Sequence, residues 1–227
     1  MKKVSATVVS NQELTKGSTK TPQVNLICVE AADIGTSAKP GQFVMVNCGP
    51  EVTLRRPLSI HRIGKSGQAY LLFSVIGKGT LWLSRQQKED KLDILGPLGN
   101  GFSIEPTSKK MLLIAGGIGI APLAFLAQQA VNQGKQVTFV LGARKKEHIY
   151  RQNLPHSRME TIILTDDGSD GIRGKVSDFS SLPDYIKQSD QIFACGPLPM
   201  YQALSNLIQR MSLNKNIQVS LSITDLL

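Results

Sequence analysis

The sequence predicts an antiparallel β-barrel followed by an α/β domain built on a parallel sheet. Three observations carry this expectation. Short apolar or alternating runs, separated by glycine and proline turns, fill roughly the first hundred residues. Beyond residues 102–109, around Pro106 and Ser108, the rhythm changes to strand alternating with helix. Immediately after that change the run Leu112-Leu113-Ile114-Ala115 enters Gly116-Gly117-Ile118-Gly119-Ile120-Ala121-Pro122 and then an alanine-rich apolar helix. The division is therefore expected at residues 1–103 and 104–227.

The barrel strands are expected over residues 4–9, 24–29, 43–47, 58–63, 70–76 and 91–95. Turn chemistry separates them: Lys39-Pro40-Gly41, Cys48-Gly49-Pro50, Gly64-Lys65-Ser66-Gly67 and Gly96-Pro97-Leu98-Gly99-Asn100-Gly101. A helix over 80–87, opened by Gly77-Lys78-Gly79, interrupts the series. In the second half, strands are expected over 111–115, 136–141, 160–164, 191–195 and 217–221. Helices are expected over 122–133, stopped by Gly134, then 146–153 and 199–211. Trp82 and Phe125 stand at helical core spacings and read as packing residues.

Composition excludes several classes. The chain has 227 residues, 41% hydrophobic and 19% charged, as soluble globular proteins do. No apolar run approaches the ~18 residues of a membrane span. Val4, Ala6 and Val8 alternate with polar residues, a strand pattern and not a leader peptide, so the expected location is cytoplasmic. The net charge of +9 is scattered among short clusters such as Arg55-Arg56, Lys109-Lys110 and Arg144-Lys145-Lys146. With no basic helix or basic-aromatic stripe, no nucleic-acid partner is expected. The three cysteines, Cys28, Cys48 and Cys195, form no C-x-x-C pair, and His61, His148 and His156 are dispersed. No metal site is expected from them.

Open α/β sheets bind ligands at the carboxyl ends of their strands. Four turns fall there: 116–122, Gly142-Ala143-Arg144, Asp166-Asp167-Gly168-Ser169 and Cys195-Gly196-Pro197. A glycine turn that opens a helix lets backbone N–H groups approach a diphosphate. Each turn could equally be plain punctuation, and Asp166 and Asp167 could be turn formers only; their coincidence favours a nucleotide. The barrel half carries a second set. Arg56-Pro57-Leu58-Ser59 puts a fixed cation beside a hydroxyl, and Gly77-Lys78-Gly79-Thr80 opens a helix, a fit for a second diphosphate.

These residues resemble a known family. Arg56-Pro57-Leu58-Ser59 with Gly77-Lys78-Gly79-Thr80 looks like the flavin signature of the ferredoxin–NADP reductase superfamily. Gly117-Ile118-Gly119-Ile120-Ala121-Pro122 and Cys195-Gly196-Pro197 look like its pyridine-nucleotide signatures. More narrowly, Gly96-Pro97-Leu98-Gly99-Asn100-Gly101-Phe102, Thr165-Asp166-Asp167-Gly168-Ser169 and Cys195-Gly196-Pro197-Leu198-Pro199-Met200 are similar to electron-transfer subunits of the NAD-dependent (type B) dihydroorotate dehydrogenases. The resemblance implies a ferredoxin-reductase-like fold. It implies FAD on Arg56, Pro57, Leu58, Ser59, Phe73, Ser74, Gly79 and Thr80, although the family often has a tyrosine–arginine-like pair where Phe73-Ser74 stands. It implies NAD(H) on Gly117, Gly119, Pro122, Asp166, Cys195 and Gly196, with Cys195 near the nicotinamide.

The implied function is electron transfer from NADH through FAD to a dihydroorotate dehydrogenase catalytic subunit in pyrimidine biosynthesis, within a heterotetramer. The resembled subunits also hold a [2Fe–2S] cluster on four cysteines beyond the last strand, in C-x₄-C-x₂-C…C spacing. Here Ser222–Leu227 follows instead, and the three cysteines have the wrong spacing and lack a fourth ligand, so either the chain is shortened or it is a variant without a cluster. Two alternatives stay open: a free-standing NAD(P)H-dependent flavin or ferredoxin-type reductase, and a non-catalytic nucleotide-binding partner module.

Overall fold

The computed structural model describes residues 2–18, 21–151, 154, 159–211 and 217–221. The chain divides into two compact units, Met1–Phe102 and Ser103–Leu227. No helix among the described residues is long and apolar enough to cross a membrane.

The first unit is a closed six-stranded antiparallel barrel. Its strands are β1 (Lys2–Thr15), β2 (Val24–Glu30), β3 (Phe43–Val46), β4 (Arg56–Ile63), β5 (Gln68–Ser74) and β6 (Lys91–Leu98), in the order β1-β2-β5-β4-β3-β6. Pairing of β1 with β6 closes it. The expected strands are present, but β1 is far longer than 4–9. It pairs with β6 over Lys2–Thr7 and with β2 over Thr7–Thr15, and register shifts after Val8 and Glu13 break the alternation that the sequence pattern needs. Ala6, Val8, Val44, Val46, Ile60, Leu71, Leu92 and Ile94 fill the interior. Two helices join these strands, α1 (Ala32–Gly35) and α2 (Lys78–Ser84); α1 was not expected, and α2 opens two residues earlier than the pattern implied.

An ion pair ties the 48–55 loop to this barrel. The Arg55 guanidinium bonds the Asp93 carboxylate and donates to the Asp93 carbonyl at 2.9 Å, while Lys3 lies 3.6 Å from the same carboxylate. The Arg55 hydrogen bond holds the Asp93 carboxyl below the usual carboxylate range, against the opposing effect of burial. A depressed folded-state pKa means stability that is present above the unfolded value, about 3.9, and lost as pH falls through the folded one. Thermal unfolding followed from neutral pH to below pH ~4 should show the barrel losing stability. Asp93→Asn should lower stability at neutral pH and flatten that acid limb.

The second unit is a six-stranded parallel sheet. Its strands are β7 (Lys110–Gly116), β8 (Gln136–Ala143), β9 (Met159–Thr165), β10 (Ile172–Arg173), β11 (Gln191–Gly196) and β12 (Ile217–Leu221), in the order β10-β9-β8-β7-β11-β12. The helices are α3 (Ile120–Asn132), α4 (Leu182–Gln188) and α5 (Leu198–Arg210). Leu112, Ile114, Val140, Leu164, Ile192 and Ala194 form one core with Leu182, Ile186, Met200 and Leu204 from α4 and α5. The alternating set Leu113, Phe139 and Phe193 is also fully buried, and α3 packs on β7, β8 and β11.

One expected element is corrected. A helix over 146–153 is not formed: a single 3₁₀ turn spans Lys146–His148, and Ile149 then turns extended (φ −92°, ψ 99°) and buries its β-branched side chain. Asn153, the far end of that expectation, and His156 lie outside the described residues. The two-residue β10 and the helix α4 had no expectation.

Candidate functional site

The strand order reverses between β7 and β11: the chain leaves β7 toward β8 and β9 on one side and returns through β11 on the other. Such a switch point leaves a crevice at the strand ends, where ligands bind in open parallel sheets. Both strands end there in glycine turns, and the turns are in close contact. A Cβ built on Gly116 would lie 2.8 Å from Pro197 Cδ and 3.1 Å from Met200 Sδ. One on Gly119 would lie 2.0 Å from the Cys195 carbonyl oxygen. One on Gly196 would lie 2.5 Å from Met200 Cε and 3.1 Å from Gly116 Cα.

These glycines do two different jobs. Gly116, Gly119 and Gly196 let the β7 turn nest against the β11 turn. Gly117 is different: its φ is +54°, a left-handed conformation that disfavours side chains, and nothing lies within 4 Å of where its Cβ would be. The turn from Gly117 to Gly119 is a 3₁₀ element that leads directly into α3, and Pro122 is buried in the first turn of that helix, where no N–H is needed. The arrangement presents open backbone at a helix entrance, which suits an anionic group.

Cys195 is 1% exposed and its thiol is buried, so what it offers at the turn is its carbonyl, pressed against Gly119. The Gly196 N–H donates to the Tyr201 hydroxyl at 3.0 Å. Tyr201 lies outside the sequence reading; a tyrosine on the first turn of a helix carries no pattern that separates it from packing.

The neighbouring strand ends are stapled together. Asp166 N–H donates to the Ala143 carbonyl at 3.0 Å, and Lys146 N–H donates to Ser169 Oγ at 2.9 Å. The Asp167 carboxylate accepts the Ser169 N–H at 3.0 Å, and hydrogen bonds from Ser169 hold it below the usual range. Asp167 thus builds its own turn, while Asp166 keeps an exposed side chain.

In the barrel unit the two adjacent arginines separate. Arg55 is committed to Asp93, whereas Arg56 lies against the start of α2: a Cβ on Gly79 would be 3.1 Å from Arg56 Nε. A Cβ on Gly77 would meet nothing within 4 Å. Thr80 Oγ1 accepts from the Ile76 and Gly77 N–H groups at 2.9 and 3.2 Å and donates to the Gly77 carbonyl. Its hydroxyl thus shapes the loop and does not take up the first-turn N–H groups of α2. Asn11, also absent from the sequence reading, fixes the other end of α2 by donating to the Leu83, Ser84 and Gln86 carbonyls at 2.9–3.1 Å. On β4, Leu58 is buried in the barrel, and Pro57 and Ser59 pair with Met45 and Phe43. Phe73 is 2% exposed on β5, beside a half-buried Ser74.

All three cysteines are free and buried. Burial pushes the Cys48 thiol up to about 11, against the opposing Arg56 charge, and burial also raises Cys28. Cys28 and Cys48 lie in the barrel unit and Cys195 in the sheet unit. No group of three or more His, Cys, Asp or Glu among the described residues could hold a metal ion.

A closed antiparallel barrel plus a parallel-sheet unit with this glycine crevice defines the class of the ferredoxin–NADP reductase-like oxidoreductases. Residues 113–206 match the oxidoreductase NAD-binding domain family. The fold is similar to the structure of an NADH-dependent reduced ferredoxin-NADP oxidoreductase, with TM-score 0.80 and 28% identity over 96% of this chain and 76% of that one. The chain is 41% identical over 183 residues to the dihydroorotate dehydrogenase B (NAD(+)), electron transfer subunit of Desulforamulus reducens, covering 79% of this chain and 70% of the relative. It is also 41% identical to the subunit of that name from Bacillus caldolyticus, covering 74% and 66%. It belongs to the family of these electron transfer subunits, and spans about two thirds of the length of the relatives it matches.

Proposed function

We propose that the chain moves electrons between NAD(H) and, through bound FAD, a dihydroorotate dehydrogenase catalytic subunit, serving pyrimidine biosynthesis as one component of a heterotetramer; oxidation of dihydroorotate sends the electrons toward NAD(+), and NADH added alone reduces the same flavin in reverse. The observation that carries this reading is Gly117, left-handed and facing open space, in a turn whose Gly116 and Gly119 nest against the Cys195–Gly196–Pro197 turn where the strand order reverses. The names of the relatives supply the partner. Three free cysteines suit a reducing compartment, and we assign the cytoplasm.

NADH would lie over Gly117, Gly119 and Pro122, with Cys195 and Gly196 shaping the surface beside its nicotinamide and Asp166 reaching its other nucleotide. The barrel residues fit FAD. Arg56 with the backbone of Gly79 and Thr80 would hold its diphosphate, and Pro57, Leu58, Ser59, Phe73 and Ser74 would bound its flavin part. When bound, FAD supplies the redox chemistry: it takes the two electrons of a hydride and releases them singly. The chain's own residues bind and orient, and no side-chain acid or base is needed for a hydride to move.

The reading is tested by purifying the chain with FAD, adding NADH without oxygen, and then passing it over the immobilised catalytic subunit. Expected are a yellow protein, loss of flavin colour with NADH, and retention on the partner. A protein that takes up no FAD contradicts the reading. One that is bleached by NADH but not retained is a free-standing reductase.

A further inference from the structure

We propose that Tyr201 is a positioning residue for the nicotinamide nucleotide: its hydroxyl fixes the Cys195–Gly196–Pro197 backbone that this nucleotide meets. The inference rests on the NADH reading above and adds to it a residue outside both glycine turns.

The ladder between β7 and β11 ends at the pair Ala115 and Cys195, one residue before Gly196. Gly196 is buried, and its N–H needs an acceptor, because an unpaired buried amide is expensive. That acceptor is the Tyr201 hydroxyl at 3.0 Å. Helical side chains lean toward the helix N-terminus, so a tyrosine on the first turn of α5 reaches back over the residues that precede the helix. Tyr201 also donates its own N–H to the Pro197 carbonyl at 3.4 Å. It therefore grips the Gly196–Pro197 segment twice, once by side chain and once by backbone.

The grip is transmitted to the facing turn. Gly196 lies against Gly116, and the Cys195 carbonyl lies against Gly119. Met200, next to Tyr201, fills the space over both Gly116 and Gly196. If the peptide before Gly196 rotated, the Cys195 carbonyl would move with it and the Gly117–Gly119 turn would lose its support. Met200 supplies bulk that resists this motion; Tyr201 supplies a directional side-chain bond to the Gly196 N–H that favours this orientation.

Tyr201 also packs its ring on the core beneath α5, which is the plain structural role. Tyr201→Phe keeps the ring and removes the acceptor. The test is stopped-flow reduction of the FAD-loaded protein over a range of NADH concentrations. In Tyr201→Phe the half-saturating NADH concentration should rise about fivefold, with the limiting reduction rate within about twofold of the parent. Tyr185→Phe is the control: Tyr185 packs on the same core but its hydroxyl donates to Glu160 at 3.0 Å, and its loss should leave half-saturation unchanged. The proposal is overturned if Tyr201→Phe saturates like the parent, or if both variants shift alike. Failure of the unsubstituted protein to be reduced by NADH would instead overturn the underlying function.

Discussion

Gly119→Ala is expected to destabilise the parallel-sheet unit by about 3 kcal/mol, at the upper end of what overpacking a core costs. The added methyl would sit 2.0 Å from the Cys195 carbonyl oxygen, 2.4 Å from its carbon and 2.9 Å from the Gly196 nitrogen. All three are backbone atoms at the end of β11, a strand paired on both sides by β7 and β12, so none can swing away as a side-chain tip would. The conformation itself is innocent: Gly119 has φ −60° and ψ −12°, which alanine prefers. The whole loss is therefore steric. Gly117→Ala is the opposite case. Its methyl meets nothing, but φ +54° penalises any side chain by about 1–2 kcal/mol. That variant should stay folded and bind NADH several-fold more weakly, since its methyl occupies the open side of the turn. Denaturant unfolding read beside NADH titration separates the two. Equal stability of the two variants would contradict the division of roles.

That division marks how far the sequence could be read. The glycine run announced a strand-to-helix turn at a ligand-binding end, because three glycines there are costly unless the backbone uses them. Which glycine serves packing and which faces the ligand depends on β11, about 75 residues downstream, and long-range contact leaves no local trace. The barrel strands were legible through their apolar runs, whereas the second half of β1 was not, since its bulges reset the alternation. The 146–153 helix fails because Ile149 turns extended and is buried, in an environment that comes from the fold. Thr80 stands in the sequence as part of a helix opening that fits a diphosphate; three hydrogen bonds to its own loop occupy its hydroxyl, a contact the sequence does not announce. The Tyr201 bond to Gly196 and the Asn11 bonds to the end of α2 were invisible because they go to backbone groups, which any sequence supplies at every position.

Arg56→Ala is expected to weaken FAD binding about 10- to 100-fold, the loss that follows from removing a charge-assisted hydrogen bond worth about 1.5–3 kcal/mol. The sequence offered two adjacent arginines, and the structure distinguishes them. Arg55 is spent on Asp93 and on the β6 backbone. Arg56 makes no ion pair among the described residues and lies beside Gly79 at the start of α2. The first turn of that helix has no acidic residue and carries Lys78. A cation at a helix N-terminus is unfavourable by itself, so Lys78 and Arg56 together leave unbalanced positive charge where the free N–H groups point. A diphosphate removes that imbalance by meeting a guanidinium and a helix N-terminus at once. Arg55→Ala should do the reverse: it unties the 48–55 loop from Asp93, lowers barrel stability and leaves FAD affinity within about twofold, because the lost contacts are internal. Fluorescence titration of the cofactor-stripped variants with FAD measures both affinities, and thermal unfolding measures the barrel. If Arg55→Ala loses FAD as completely as Arg56→Ala, the cation is a shared field and not a placed ligand, and the assignment of Arg56 falls.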